Sequence, residues 1–124
     1  MARPEICTEV VTVTIAGSDG SATGSATSGV LTGFLLDISL DHVTNAAATT
    51  DTTVAHVSPA FNILVATDTA TDARYVPRDT LQTTAGATTD PDGYDRIPLS
   101  GKVTVSVAQA NAGSLVATIR YLRL

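Results

Sequence analysis

Three acidic side chains crowd the stretch TTDPDGYDR, where Asp90, Asp92 and Asp95 surround Gly93. Carboxylates this close are hard oxygen donors, and with carbonyl oxygens completing the shell they would suit calcium. The EF-hand spacing and its closing bidentate Glu are missing. Asp-Pro and Asp-Gly are also ordinary turn formers. The stretch is therefore read first as a turn, with a calcium site as the alternative.

The histidines offer less. His42 follows Asp41, and His56 has Asp51 farther off. Neither belongs to an H-x-H or H-E-x-x-H pair, and no G-x-S-x-G elbow supplies a nucleophile. Both are expected to be solvated residues of loops or edge strands. No catalytic residue and no cofactor is assigned, and the chain is not read as an enzyme. Cys7, the single cysteine, excludes an intrachain disulfide. It is expected to be a small, at least half-buried residue, the other reading being a bridge between chains.

The stretch AGSDGSATGSATSG, from Ala16 to Gly29, resembles a phosphate cradle only in composition. It contains neither G-x-G-x-x-G nor G-x-x-x-x-G-K-S/T. The run after it reads as a strand, so no helix N-terminus is available to hold an anion. It is expected to be a loop within one domain.

Arginine and tyrosine give a more specific signal. ARYVPRD places Arg74 and Arg78 around Tyr75, and GYDRIP places Arg96 beside Tyr94. Both residue types bury area while offering directed hydrogen bonds, as interface hot spots do. These five are interface candidates. The competing reading is surface ion pairs with the plentiful aspartates, worth little apiece.

The elements that must position these groups follow from a period of two. Val11, Val13 and Ile15 alternate with Thr12 and Thr14, and Val103, Val105 and Val107 with Thr104 and Ser106. In VLTGFLLDISL, residues Val30, Phe34, Leu36, Ile38 and Leu40 are expected on one face, opposite Asp37 and Ser39. Shorter strands are expected over Thr53–Val57 and Phe61–Thr67, broken at Ser58-Pro59, and RYVP reads as an edge strand because Pro77 cannot donate to a ladder. The final run, SLVATIRYLRL, is apolar on both phases, so it is expected either deep in the fold or against another subunit. Ile119 and Leu122 therefore join the interface candidates. AQANAG before it reads as a hairpin turn. No window carries a helical apolar stripe.

The 124 residues suit a single domain. The expected fold is all-β: an antiparallel β-sandwich of jelly-roll or Greek-key type with six to eight short strands. Residues 16–29 and 80–95 are expected to be long loops and Met1–Glu9 a candidate N-terminal arm. A formal charge of −5 with a single Lys excludes nucleic acid as an expected partner. No run approaches the roughly 20 apolar residues of a membrane helix. The N-terminus lacks the pattern of a signal peptide and reads as a cytosolic start.

From Val30 to Leu124 the order SGVLTGFLLDISL, RYVPR, TAGATT and YDRIPLSGKVTVSVAQANAGSLVATIRYLRL resembles small virion proteins of tailed bacteriophages, of the capsid decoration or cement type. That resemblance implies a β-sandwich bound to the outer surface of the head, assembled in the host cytoplasm. It implies the major capsid protein as partner and a homo-oligomer, commonly a trimer. Arg74, Tyr75, Arg78, Tyr94 and Arg96 fall at the matching positions. The alternative is a fibre, head–tail or adhesin-like module recognising a carbohydrate or a protein surface.

Overall fold

Successive side chains of an extended chain point to opposite faces, so a chain of alternating Val and Thr can bury one row and solvate the other. The computed structural model describes residues 3–82 and 88–124, with the backbone alone described at 80–82 and 88–93. Among these residues it forms eleven strands and no helix. They are β1 (Glu5–Ile15), β2 (Ala22–Thr27), β3 (Leu31–Asp41), β4 (Asp51–His56), β5 (Phe61–Ala66) and β6 (Ala73–Tyr75). Then come β7 (Asp79–Gln82), β8 (Thr88–Asp95), β9 (Pro98–Gly101), β10 (Val103–Ala110) and β11 (Gly113–Arg123).

One sheet runs β1-β11-β3-β6, with β9 also pairing β3; the second runs β2-β10-β4-β5; β7 and β8 form a ribbon of their own. First pairs with last and second with next-to-last, while β3 pairs β6 and β4 pairs β5, all antiparallel. A long hairpin wound up in this nested order is a jelly roll. Its two sheets share one core, to which the first gives Val13, Leu35, Leu115 and Ile119 and the second Val54, Val103 and Val105. The fold is an all-β antiparallel sandwich, as the two-residue period predicts.

Several sequence expectations need correction. The eleven strands exceed the six to eight expected, partly because the stretch Ala16–Gly29 is not all loop. Its second half is β2, paired with β10 from Thr27↔Thr104 to Ala22↔Ala110. Its alternation is real but written in small residues: Ala22 is buried and Ala26 packs on the core, while Thr23, Ser25 and Thr27 face out. The expected loop 80–95 likewise contains parts of β7 and β8. Of the expected arm Met1–Glu9, residues Glu5–Glu9 belong to β1 and are fully paired with β11.

The long β3 changes phase midway. Arg120 of β11 lies opposite Asp37 and the next residue, Tyr121, opposite Leu35, so Leu36 is an extra residue. This bulge puts Leu31 and Leu35 on the core side together with Ile38 and Leu40, while Phe34 and Leu36 become half-exposed. A strict period of two would instead place Val30, Phe34 and Leu36 with Ile38. Val30 is exposed.

The terminal strand takes the first of its two expected places, deep in the fold. β11 is no edge: it pairs β1 on one side and β3 on the other, and Leu115, Ala117 and Ile119 are core residues. Two-faced apolarity here marks the central strand of a sheet whose outer face is half-covered by long side chains. The expected hairpin turn AQANAG, residues 108–113, does not close a hairpin, because β10 and β11 enter different sheets. Gly113 there has φ +152°, and an added Cβ would press Val43 at 3.1 Å.

Candidate interaction face

The outer face of the five-stranded sheet is built in rows by strand register. Ile6, Leu122, Phe34 and Pro98 stand side by side on β1, β11, β3 and β9. The next row is Thr8, Arg120 and Asp37; the one after is Val10, Thr118, Ser39 and Arg74. Ile6 is 65 % exposed and Val10 58 %. An apolar row thus lies directly beside a charged one on the outer surface of the antiparallel sheet.

Asp37 anchors the charged row. Its side chain is only 2 % exposed although it sits on the outer face, because two arginines close over it. Arg120 grips it with two nitrogens, Nε donating to Oδ1 at 2.8 Å and Nη2 to Oδ2, and Arg74 Nε donates to Oδ2 at 2.8 Å. The forked guanidinium suits such two-point binding. Arg78 completes the cluster: its Nη1 donates to the carbonyl of the bulge residue Leu36 at 3.1 Å and to that of Pro77 at 2.7 Å. Three arginines therefore converge on the dipeptide Leu36-Asp37. The bulge matters to this, since it turns one strand residue out of the ladder and frees its carbonyl.

The Arg120 and Arg74 hydrogen bonds outweigh the desolvation of Asp37, so its carboxyl is lowered from 3.8 to about 2. The folded state therefore prefers the ionised form more than the unfolded chain does. That contribution is complete above the unfolded value and is lost as the pH falls from about 4 towards about 2. Because both arginines are partly solvated, it amounts to on the order of 1–2 kcal/mol. In Asp37→Asn, the unfolding free energy from urea titration should drop at neutral pH by about 2–3 kcal/mol, since two cations lose their shared anion. The same variant should show a flatter acid limb than the parent. An unchanged acid limb would mean that Asp37 is not the group titrating there.

The remaining sequence candidates are scattered. Tyr75 is half-buried and packs on the core from β6. Tyr94 is exposed on β8, and Arg96 is exposed beyond it, its N–H donating to Asp95 Oδ1 at 2.7 Å. The side chains of Asp90 and Asp92 lie outside the described residues, and among the described residues no three metal-binding side chains cluster. Ile119 is 1 % exposed and belongs to the core, not to an interface. Leu122 does face outward, in the apolar row.

Compared with protein-family models, characterised proteins and solved structures, the chain matches none. Its chemistry must be read from its own surfaces.

His56 corrects the expectation of a solvated histidine. It is buried, with Nδ1 2.9 Å from the Pro59 carbonyl and Nε2 accepting from the Ser100 N–H at 3.2 Å. Those partners fix the tautomer: Nδ1 carries the proton and Nε2 accepts. Its ring stacks on Phe61, with centroids 4.8 Å apart. His56 thus ties the β4–β5 connection, which contains the cis Ser58-Pro59 bond, to β9. His42 is half-buried; burial pushes its imidazole down while Asp72 and Asp41 pull partly back. Asp72 Oδ1 accepts the backbone N–H of His42 at 2.6 Å, a link that holds the loop before β6 against the end of β3. Cys7 is half-buried opposite Tyr121.

The decisive residues missed in the sequence are Asp37 and Arg120. A carboxylate on the solvent phase of an otherwise apolar strand was a visible signal. Its partners lie 37 and 83 residues away in sequence, so no spacing rule joins them.

Proposed function

We propose that this chain is a structural virion protein: a decoration or cement protein that binds the outer surface of a tailed-phage head and reinforces its major capsid protein. The observation that carries the reading is the outer face of the five-stranded sheet, where an apolar row containing Ile6 lies beside the arginine cluster gathered on Asp37 and Leu36. Surfaces of this mixed kind suit protein partners, since aliphatic area supplies burial and arginine supplies direction. Self-association, as a trimer, would use the same sheet face or the free side of β1.

The fold alone does not choose, because jelly rolls serve viral shells and lectins alike. The chemistry of the face favours a protein partner. Sugar-binding modules set aromatic platforms against the sugar, whereas this face presents Ile, Val, Leu and Arg with the single half-exposed ring of Phe34, so the fibre or adhesin alternative has less support.

Purified protein mixed with head shells assembled from the major capsid protein of the same virus should cosediment in saturable fashion. Light scattering should give the mass of an oligomer at micromolar concentration. A monomer that leaves such shells bare would overturn the proposal.

A further inference from the structure

We infer that the arginine cluster over Leu36-Asp37 is a docking surface for an extended, carboxylate-bearing segment of a partner protein. The inference deepens the proposed decoration role, on which it rests for the identity of the partner as the shell protein.

Charge is unevenly spread over the molecule. Arg74, Arg78 and Arg120 are three of the chain's seven basic residues, and they meet one of its twelve acids, Asp37. The cluster therefore carries +2 in a chain of formal charge −5, which leaves −7 on everything else. A positive island on a negative body steers an acidic partner to one place and repels it elsewhere. The body charge also works against a long polyanion, whose phosphates would run beyond the island onto repulsive surface.

Geometry points the same way. Asp37 uses only part of each guanidinium, and the side chains of Arg74 and Arg120 remain 62 % and 45 % exposed. Because Asp37, Leu36 and Pro77 hold them in place, little side-chain freedom is left to lose on binding. The row of Ile6, Leu122 and Phe34 runs alongside. An extended segment alternating acidic and apolar side chains would set carboxylates on the guanidiniums and rest its apolar side chains on that row.

The test uses a short synthetic peptide alternating Glu and Val, with a Gln and Val version, inorganic phosphate and a single-stranded oligonucleotide as comparisons. The full-length protein should bind the Glu peptide in preference to all three, and more weakly as salt is raised. The double variant Arg74→Gln with Arg78→Gln keeps Arg120 on Asp37. It should bind at least about tenfold more weakly while still folding cooperatively, at a lower melting temperature because Asp37 keeps only one of its two cations. Replacing the same two residues by Lys should recover part of the loss, because charge returns without the fork.

Peptide binding that ignores the Gln variants, failure of the Lys pair to recover any of it, or equal or tighter binding of the Gln peptide, phosphate or oligonucleotide would each overturn the inference. The parallel shell assay separates the two readings. Shell binding unaffected by the Gln variants removes the arginine docking site and leaves the decoration role. Glu-peptide binding without shell binding does the reverse.

Discussion

Ile119→Asp is expected to abolish cooperative folding, whereas Leu122→Asp, three residues along the same strand, should leave a folded protein. Ile119 lies in the middle of β11, 1 % exposed, with Ile38 opposite on one side and Glu9 on the other. A carboxylate placed there would be desolvated without a cation, and would face the acid of Glu9. The loss exceeds about 4 kcal/mol, a large fraction of the stability of a domain this size. Leu122 belongs to the other phase. Its side chain is half-exposed between Ile6 and Phe34, so a new charge remains largely hydrated and costs about 1 kcal/mol. Circular dichroism melts of both variants, with light scattering on whichever folds, give the comparison. If the proposed face is the one used in assembly, the Leu122 variant should melt near the parent temperature yet lose self-association or shell binding. Two variants that melt alike would contradict the assignment of these residues to opposite faces.

That pair of residues shows where sequence periodicity reaches and where it stops. Alternation alone assigns Val11, Val13 and Ile15, and later Val103, Val105 and Val107, to the core, and they are there. Their β-branched side chains make the pattern unambiguous. β11 is legible as a strand but not as a central one, because apolarity on both phases is equally consistent with a buried position and with an exposed edge. Only pairing decides between them, and pairing partners such as Glu5 and Arg123 are separated by nearly the whole chain. In β3 the failure is of another kind. One inserted residue, Leu36, shifts every side chain before it to the opposite face, and a bulge leaves no mark in composition.

The arginine cluster is half legible for the same reason. Arg74 and Arg78 stand out as a local pair, flanking a strand that Pro77 confines to a sheet edge. The antiparallel register Ser39↔Arg74 brings them over Asp37, and the register Arg120↔Asp37 adds Arg120. Neither register can be read from neighbours in sequence. The bulge then links the two failures, since the carbonyl that receives Arg78 belongs to the residue that breaks the alternation. A functional reading of this face therefore depends on tertiary structure more than the reading of the core does.

Gly24→Ala is expected to damage the fold far more than so small a change normally would. A Cβ at Gly24 would lie 2.3 Å from the carbonyl oxygen of Thr14 and 3.1 Å from a Val13 methyl. The oxygen is backbone of a strand held in register by β11, so it cannot swing aside as a side chain would. The corner where β1 hands over to β2, fixed by the reciprocal Ala16 and Thr23 hydrogen bonds at 3.0 and 3.1 Å, would have to open. The expected cost is about 3 kcal/mol, or roughly 10–15 °C in Tm. Gly29→Ala supplies the contrast within the same Gly/Ser/Thr stretch. There the added methyl would meet only the Glu9 carboxylate at 3.5 Å, an ordinary contact. Its effect should lie within about 0.5 kcal/mol, and a slight gain would follow from stiffening the unfolded chain. The stretch lacks bulky side chains because two strands cross there almost backbone to backbone, which is a different reason from flexibility. A free loop would tolerate both substitutions equally. Equal melting of the two variants would therefore return the segment to the status of a loop and remove β2 from the second sheet.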